Sequence, residues 1–280
     1  MAYKYISESF NSIDAMLRTI EKRPVNKVFK YHECSSENEG SSFSGTSSYK
    51  EAVELMKGGW SEPTKDLKAE ASALKVKANA TTQKARPRNA VVGYAPCVPA
   101  AIMGLPESMI ATERVPTKIK AVTIVYASCD NAGTTTKQFL KAGAVILKIV
   151  NDLELKGYRV RLICEFYAAQ KNNERLVGRV TVKDWRQPLD LKKIAFPIAH
   201  SSMLRRVGFK WIETQPEISQ PWYSGYGRAI ASEEDSYEDV VKAYKENGLL
   251  CDNEYYTSLQ MVAACEHDSA AVMKRAGMSL

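Results

Sequence analysis

What the chain has little of narrows its class. Six cysteines in 280 residues (Cys34, Cys97, Cys129, Cys164, Cys251 and Cys265) form no CxxC pair, which excludes a zinc knuckle or a thioredoxin-type motif and leaves reduced thiols, mostly in the core. The three histidines His32, His200 and His267 have no second His or Cys at metal spacing. Cys265 and His267 are two apart and so lie on different faces of a helix. No apolar stretch, such as Ala121 to Ala127, approaches the ~18 residues of a bilayer span, and the amino terminus has no charged-then-apolar leader. The expectation is a soluble, cytoplasmic chain without a membrane partner. No GxxxxGK[ST] or GxSxG run occurs, and no GxGxxG follows a strand. Nucleotide hydrolysis and elbow-type serine chemistry therefore have no support. Ser201 and Ser202 beside His200 are sequence neighbours whose side chains do not converge. The acidic cluster Glu233, Glu234, Asp235, Glu238 and Asp239 suits helix capping and solvation better than metal chemistry. No catalytic set, metal or cofactor is expected.

What is present is a folded composition, with 45% hydrophobic, 9% aromatic and 25% charged residues. The net charge of +7 is uneven: residues 1–130 carry 18 basic and 14 acidic residues, residues 131–212 carry 16 and 6, and residues 213–280 carry 5 and 12. A surplus of this size in the middle is what a phosphate-binding surface needs, although a solvated basic face balanced by its acidic tail gives the same count.

The periodicity predicts three stretches. Residues 1–60 form an α-rich preface, with Ile13, Met16, Leu17 and Ile20 at helical spacing before Arg23-Pro24, a Ser/Gly-rich loop, and a second helix from Glu51 behind a capping box at Ser48. Residues 61–118 form a basic linker and a Pro-rich loop that packs on the core, with a short helix from Pro99 to Met103. Residues 119–280 form a three-layer α/β domain. There Ile119 to Ala127 is a buried central strand, Thr134 to Lys156 a helix with Phe139, Leu140, Ala144, Leu147, Val150 and Leu153 on its core stripe, and Arg159 to Phe166 the next strand. Leu176 to Trp185 reads as an antiparallel edge strand, Pro188 to Phe209 as a helix broken near Pro197, Ser236 to Glu246 as a helix, and Gly248 to Cys251 as a last strand.

The run VTIVYASCDNAGTTTKQFLKAGAVILKIVNDLELKGYRVRLI (residues 122–163) resembles the opening of a von Willebrand factor A-like domain, a Rossmann-like, mostly parallel fold. That family carries Asp-x-Ser-x-Ser in the first loop. Here Ala127, Cys129 and Asn131 stand at those three positions, so the resemblance implies the fold without the metal. Asp130 with Thr134 to Thr136 leaves an altered magnesium site conceivable, against the simpler role of a helix cap. Four segments, GTSSYKEAVELMKGGW, VVGYAPCVPAAIMGLPESMI, the run just quoted and PLDLKKIAFPIAHSSMLRRVGFKWIE, resemble uncharacterised proteins of tailed bacteriophages. That resemblance implies a protein of the infected-cell cytoplasm and implies no reaction.

Basic and aromatic residues interleave at Arg175, Arg179, Lys183, Trp185, Arg186, Arg205, Arg206, Lys210 and Trp211. Rings on which bases stack, flanked by cations for phosphates, are the usual device of single-strand binding. The other reading makes Trp185, Phe209 and Trp211 core anchors. Two functions follow. One is a non-enzymatic adaptor that binds single-stranded DNA or RNA and recruits a phage polymerase or replication protein. The other is a protein-interaction module, a host-factor inhibitor or assembly factor, without nucleic acid.

Overall fold

The computed structural model describes residues 4–29, 34–60, 83–116, 120–129, 131–169, 174–218 and 236–278. β6 (Tyr158–Ala169) is the central strand of the main sheet, and β5 (Lys120–Ala127), expected there, lies one place over, paired in parallel with β6 on one side and with β8 (Glu254–Ser258), an edge strand, on the other. β7 (Glu174–Lys183) runs antiparallel to β6, and β1 (Lys4–Phe10) runs parallel to β7 at the far edge, so β7 is internal and not the edge strand expected of Leu176 to Trp185. The sheet order is β1-β7-β6-β5-β8, with three of the four neighbouring pairs parallel. Every residue of β5 from Val122 to Ala127 is buried, as its unbroken apolar run requires of a strand covered on both faces.

The crossover from β5 to β6 is α6 (Thr136–Leu155), opened by a capping box in which Thr135 and Gln138 exchange hydrogen bonds. The expected stripe is buried, and so are Ala142, Val145, Ile146 and Ile149 on its flanks. The helix is enclosed because α7 (Leu191–Ala199), α10 (Leu259–Ala264) and α11 (Ser269–Arg275) pack against it as the sheet does. At the α7 crossing a Cβ on Gly143 would lie 2.5 Å from that of Ala199, so only glycine permits this approach.

Three further expectations need correction. The preface is not a separate unit, because β1 edges the main sheet and α1 (Ile13–Lys22), α2 (Ser35–Asn38), α3 (Ser41–Ser44) and α4 (Tyr49–Gly58) follow on, with Met16, Leu17, Ile20, Cys34, Ala52 and Met56 all in the common core. The last strand is β8, not Gly248 to Cys251. Gly248 (φ +67°) and Leu249 instead close α9 (Tyr237–Glu246), donating to the carbonyls of Lys245 and Tyr244 in a Schellman cap.

The Pro-rich stretch is not a loop laid on the core. β2 (Gln83–Ala90), β3 (Ala95–Pro96) and β4 (Met109–Pro116) form a separate antiparallel sheet in the order β2-β4-β3, with the short helix α5 (Val98–Ile102) between β3 and β4. Among the described residues, none of this arm belongs to the hydrophobic core or packs against it. Gly93 lets the chain cross β4, where a Cβ would fall 2.2 Å from the Ile110 carbonyl oxygen.

Candidate functional site

The residues expected to form a basic strip fall into separate places, and most of them point inward. On β7, Arg179 donates from Nε to Glu165 Oε2 at 2.7 Å and from Nη1 to the Leu249 carbonyl at the end of α9, and Arg175, four residues earlier, is also buried and donates to the Glu174 carbonyl. A register shift between Leu162 and Ile163 of β6 accompanies Lys183, which is 1% exposed, donates to the Val160 carbonyl at 2.8 Å and pairs with Glu154 of α6. Trp185 is half-buried, its ring covered by the Arg161 guanidinium 5.1 Å from the centroid. Of the nine residues only Arg186 is exposed. The single surface strip expected from the sequence does not form.

The second group lies on residues 201–213, where a π-helical turn (Met203–Gly208) leads into α8 (Phe209–Glu213). Arg205 donates to the carbonyls of Phe43 and Thr134, both at 2.7 Å, with its guanidinium between the rings of Phe43 and Phe139. Arg206, fully buried, donates to the carbonyls of Ser36 at 2.8 Å, Glu39 at 2.7 Å and Thr46 at 3.0 Å. The Ser36 and Glu39 carbonyls are ones that the one-turn helix α2 leaves without intrahelical partners, which a cation satisfies best, and the Thr46 carbonyl accepts from the Ser44 hydroxyl as well. Seven residues further along the same helix, Glu213 accepts from the Ser36 amide and hydroxyl at the opposite end of α2. One helix thus sets a carboxylate at the start of α2 and a guanidinium at its end, matching the helix dipole. Lys210 pairs with Glu37 at 3.0 Å, and Trp211 lies on Gly178 and donates from Nε1 to Glu8.

Sequence reading missed the acceptors in this network. Burial works against the ionised Glu8, but donors from Arg23, Trp211 and Gln215 outweigh it and hold its carboxyl below the ordinary value. Burial pushes the Glu165 carboxyl up, opposed by Arg179 and by the Tyr244 hydroxyl, which donates to it at 3.0 Å. Ser201 and Ser202 both donate their hydroxyls to the Ser44 carbonyl, and His200 Nδ1 accepts from the Ser202 amide. Those hydroxyls therefore serve the N-terminal segment and are not paired with a base. The first loop of the α/β unit is held by Arg205 through Thr134, while Asp130 lies outside the described residues. Among the described residues, no three His, Cys, Asp or Glu side chains are grouped to hold a metal. No helix among them is long and apolar enough to cross a membrane. None of the six cysteines is in a disulfide, and Cys34, Cys129 and Cys164 are buried.

His200 stacks on Phe196 at 4.7 Å and meets Trp60 edge-on. Burial pulls its pKa from 6.5 to about 4, opposed by Glu51. The unfolded chain therefore binds a proton between pH 6.5 and 4 that the folded chain refuses, so stability falls as pH drops through that window, by up to about 3 kcal/mol for this group. Urea midpoints measured from pH 7 to pH 4 should fall more steeply in the wild type than in His200→Gln. Equal slopes would exclude this origin.

What remains in solvent is the arm. Residues 89–106 include no charged side chain in a chain that is 25% charged. Within them Val91, Val92, Tyr94, Val98, Ile102, Met103 and Leu105 are exposed, from 47% for Leu105 to 81% for Ile102. A family profile, described as a domain of unknown function (DUF7192), matches residues 2–262, and so spans both the arm and the α/β body. The chain belongs to the DUF7192 family. No curated protein and no solved structure matches this DUF7192 chain.

Proposed function

We infer that this DUF7192 chain is a non-enzymatic protein-interaction module, in which an α/β body of von Willebrand A-like type carries the arm as its contact element. One observation carries the reading: seven large apolar side chains stand exposed within residues 89–106, a structured segment with no charged side chain that the core does not use. Monomers seldom leave so many large apolar side chains in water over so short a segment. The competing reading, single-strand binding that recruits a phage polymerase or replication protein, needs cations in solvent. Eight of its nine proposed residues are buried or half-buried, most with carbonyl or carboxylate partners.

A photo-crosslinking amino acid placed at Val92 or Ile102, with exposed Lys141 as the control site, tests this in the cells that make the protein. Protein adducts at the two arm positions and none at Lys141 are expected. Adducts that disappear with nuclease, together with steeply salt-dependent binding of a labelled single strand, would instead establish the nucleic-acid reading.

A further inference from the structure

We propose that the arm is a self-association surface and that its occupant is the arm of a second copy of this chain, giving a two-fold dimer. The inference rests on the reading of the arm as the contact element and names its partner. Three observations point to a second copy.

The first is electrostatic. The chain carries a net charge of +7, so most ways of bringing two copies together oppose like charges, whereas residues 89–106 bring none to the contact. Charge begins again at Arg88 on one side and Glu107 on the other, and Arg86 of β2 lies directly opposite Glu113 of β4 in the sheet register, so both signs flank the uncharged segment. A nucleic-acid backbone or an anionic lipid surface would select cations within the contact segment itself; a second uncharged arm would not.

The second is area. At their observed exposures the seven side chains present on the order of 700 Å² of largely apolar surface, close to the ~800 Å² per partner of a standard interface. Two identical arms facing each other therefore reach the size a stable dimer needs, and an isologous contact closes without leaving a free apolar face to propagate.

The third is the backbone. β2 forms one outer edge of the arm sheet and carries Pro87, which offers no N–H for an incoming strand. β3, on the other edge, is only two residues long. Neither edge suits strand addition, so the contact is made by side chains across the faces and tip.

Sedimentation velocity on the full chain, over about 1 to 100 μM because dimer stability is inseparable from protomer concentration, should show a species of twice the 31.2 kDa mass, at least as populated in high salt as in low. Val92→Asp combined with Ile102→Asp should be monomeric throughout, with the melting temperature that the wild type shows at concentrations where it is monomeric. Both side chains are at least 80% exposed, so folding does not depend on them. Val92→Ser with Ile102→Ser, which adds no charge, should weaken the dimer at least tenfold. A wild type that stays monomeric at the highest concentration, or a dimer that survives both double variants, would overturn the proposal. The crosslinking at Val92 separates this from the broader reading: adducts to a different protein with a monomeric chain leave the interaction module standing without self-association, and no adducts remove both.

Discussion

Arg206→Met should lower the unfolding free energy by about 3 to 5 kcal/mol, because it strands the carbonyls of Ser36 and Glu39 and leaves that of Thr46 to the Ser44 hydroxyl alone in a buried site. In a chain of this size that corresponds to a fall in melting temperature of roughly 10 °C. Arg186→Met, at an exposed position of the same charge, should stay within about 0.5 kcal/mol of wild type. The loss in the Arg206 variant should also be local at first: limited proteolysis under native conditions should cut within residues 34–48, which the guanidinium ties together, before the α/β body opens. Equal and small effects of the two substitutions would show that Arg206 does not organise this segment.

The pair Glu165 and Arg179 should give the second large effect, with a dependence on pH that Arg206 lacks. Glu165→Gln leaves the Arg179 guanidinium buried without its carboxylate, at a cost of about 3 to 5 kcal/mol. Arg179→Met leaves a carboxylate that burial already pushes above its ordinary pKa and removes the cation that pulls it down. In that variant the folded state holds a proton that the unfolded state has released above about pH 4.5, so stability falls as pH rises through the raised pKa. Urea denaturation should therefore show Arg179→Met to be less stable at mildly alkaline pH than at mildly acidic pH. The double variant Glu165→Leu with Arg179→Met should recover much of the loss, giving a coupling of roughly 2 to 3 kcal/mol in a double-mutant cycle. Simple additivity would mean that the two groups do not act as a pair.

How legible the fold was depended on how local each signal is. The unit from β5 through α6 to β6 announces itself through an unbroken apolar strand, a helical stripe and the turn at Gly157, all within some fifty residues, and it forms much as expected. β1 was missed because its period-two pattern, Ile6 and Phe10 inward, is interrupted by Glu8, which also faces the interior and is satisfied there by residues far along the chain. The arm was missed as a sheet because β2 alternates arginine with alanine and proline and has no apolar face to betray it.

The candidate site was misread for one physical reason. A cation looks the same in sequence whether it faces water or backbone carbonyls, and the carbonyls that hold Arg205 and Arg206 come chiefly from residues 36–46 and 134, which carry no side-chain imprint of the contact. The only local hint was the spacing of Arg206 and Glu213, two turns apart on one helix face.

The pairing of β1 with β7 has a consequence for how the protein comes into being. The partners Lys4 and Glu174 are 170 positions apart, and Ser36 waits equally long for Arg206. At roughly 5 to 20 residues per second of synthesis, β1 spends on the order of ten seconds or more without its mate, and the serine-rich segment behind it fares no better. This layer is thus made long before it can be placed. Lys4 and Glu8, set along a strand that must stay unpaired until β7 is made, put charge where a bare edge would otherwise capture another nascent chain.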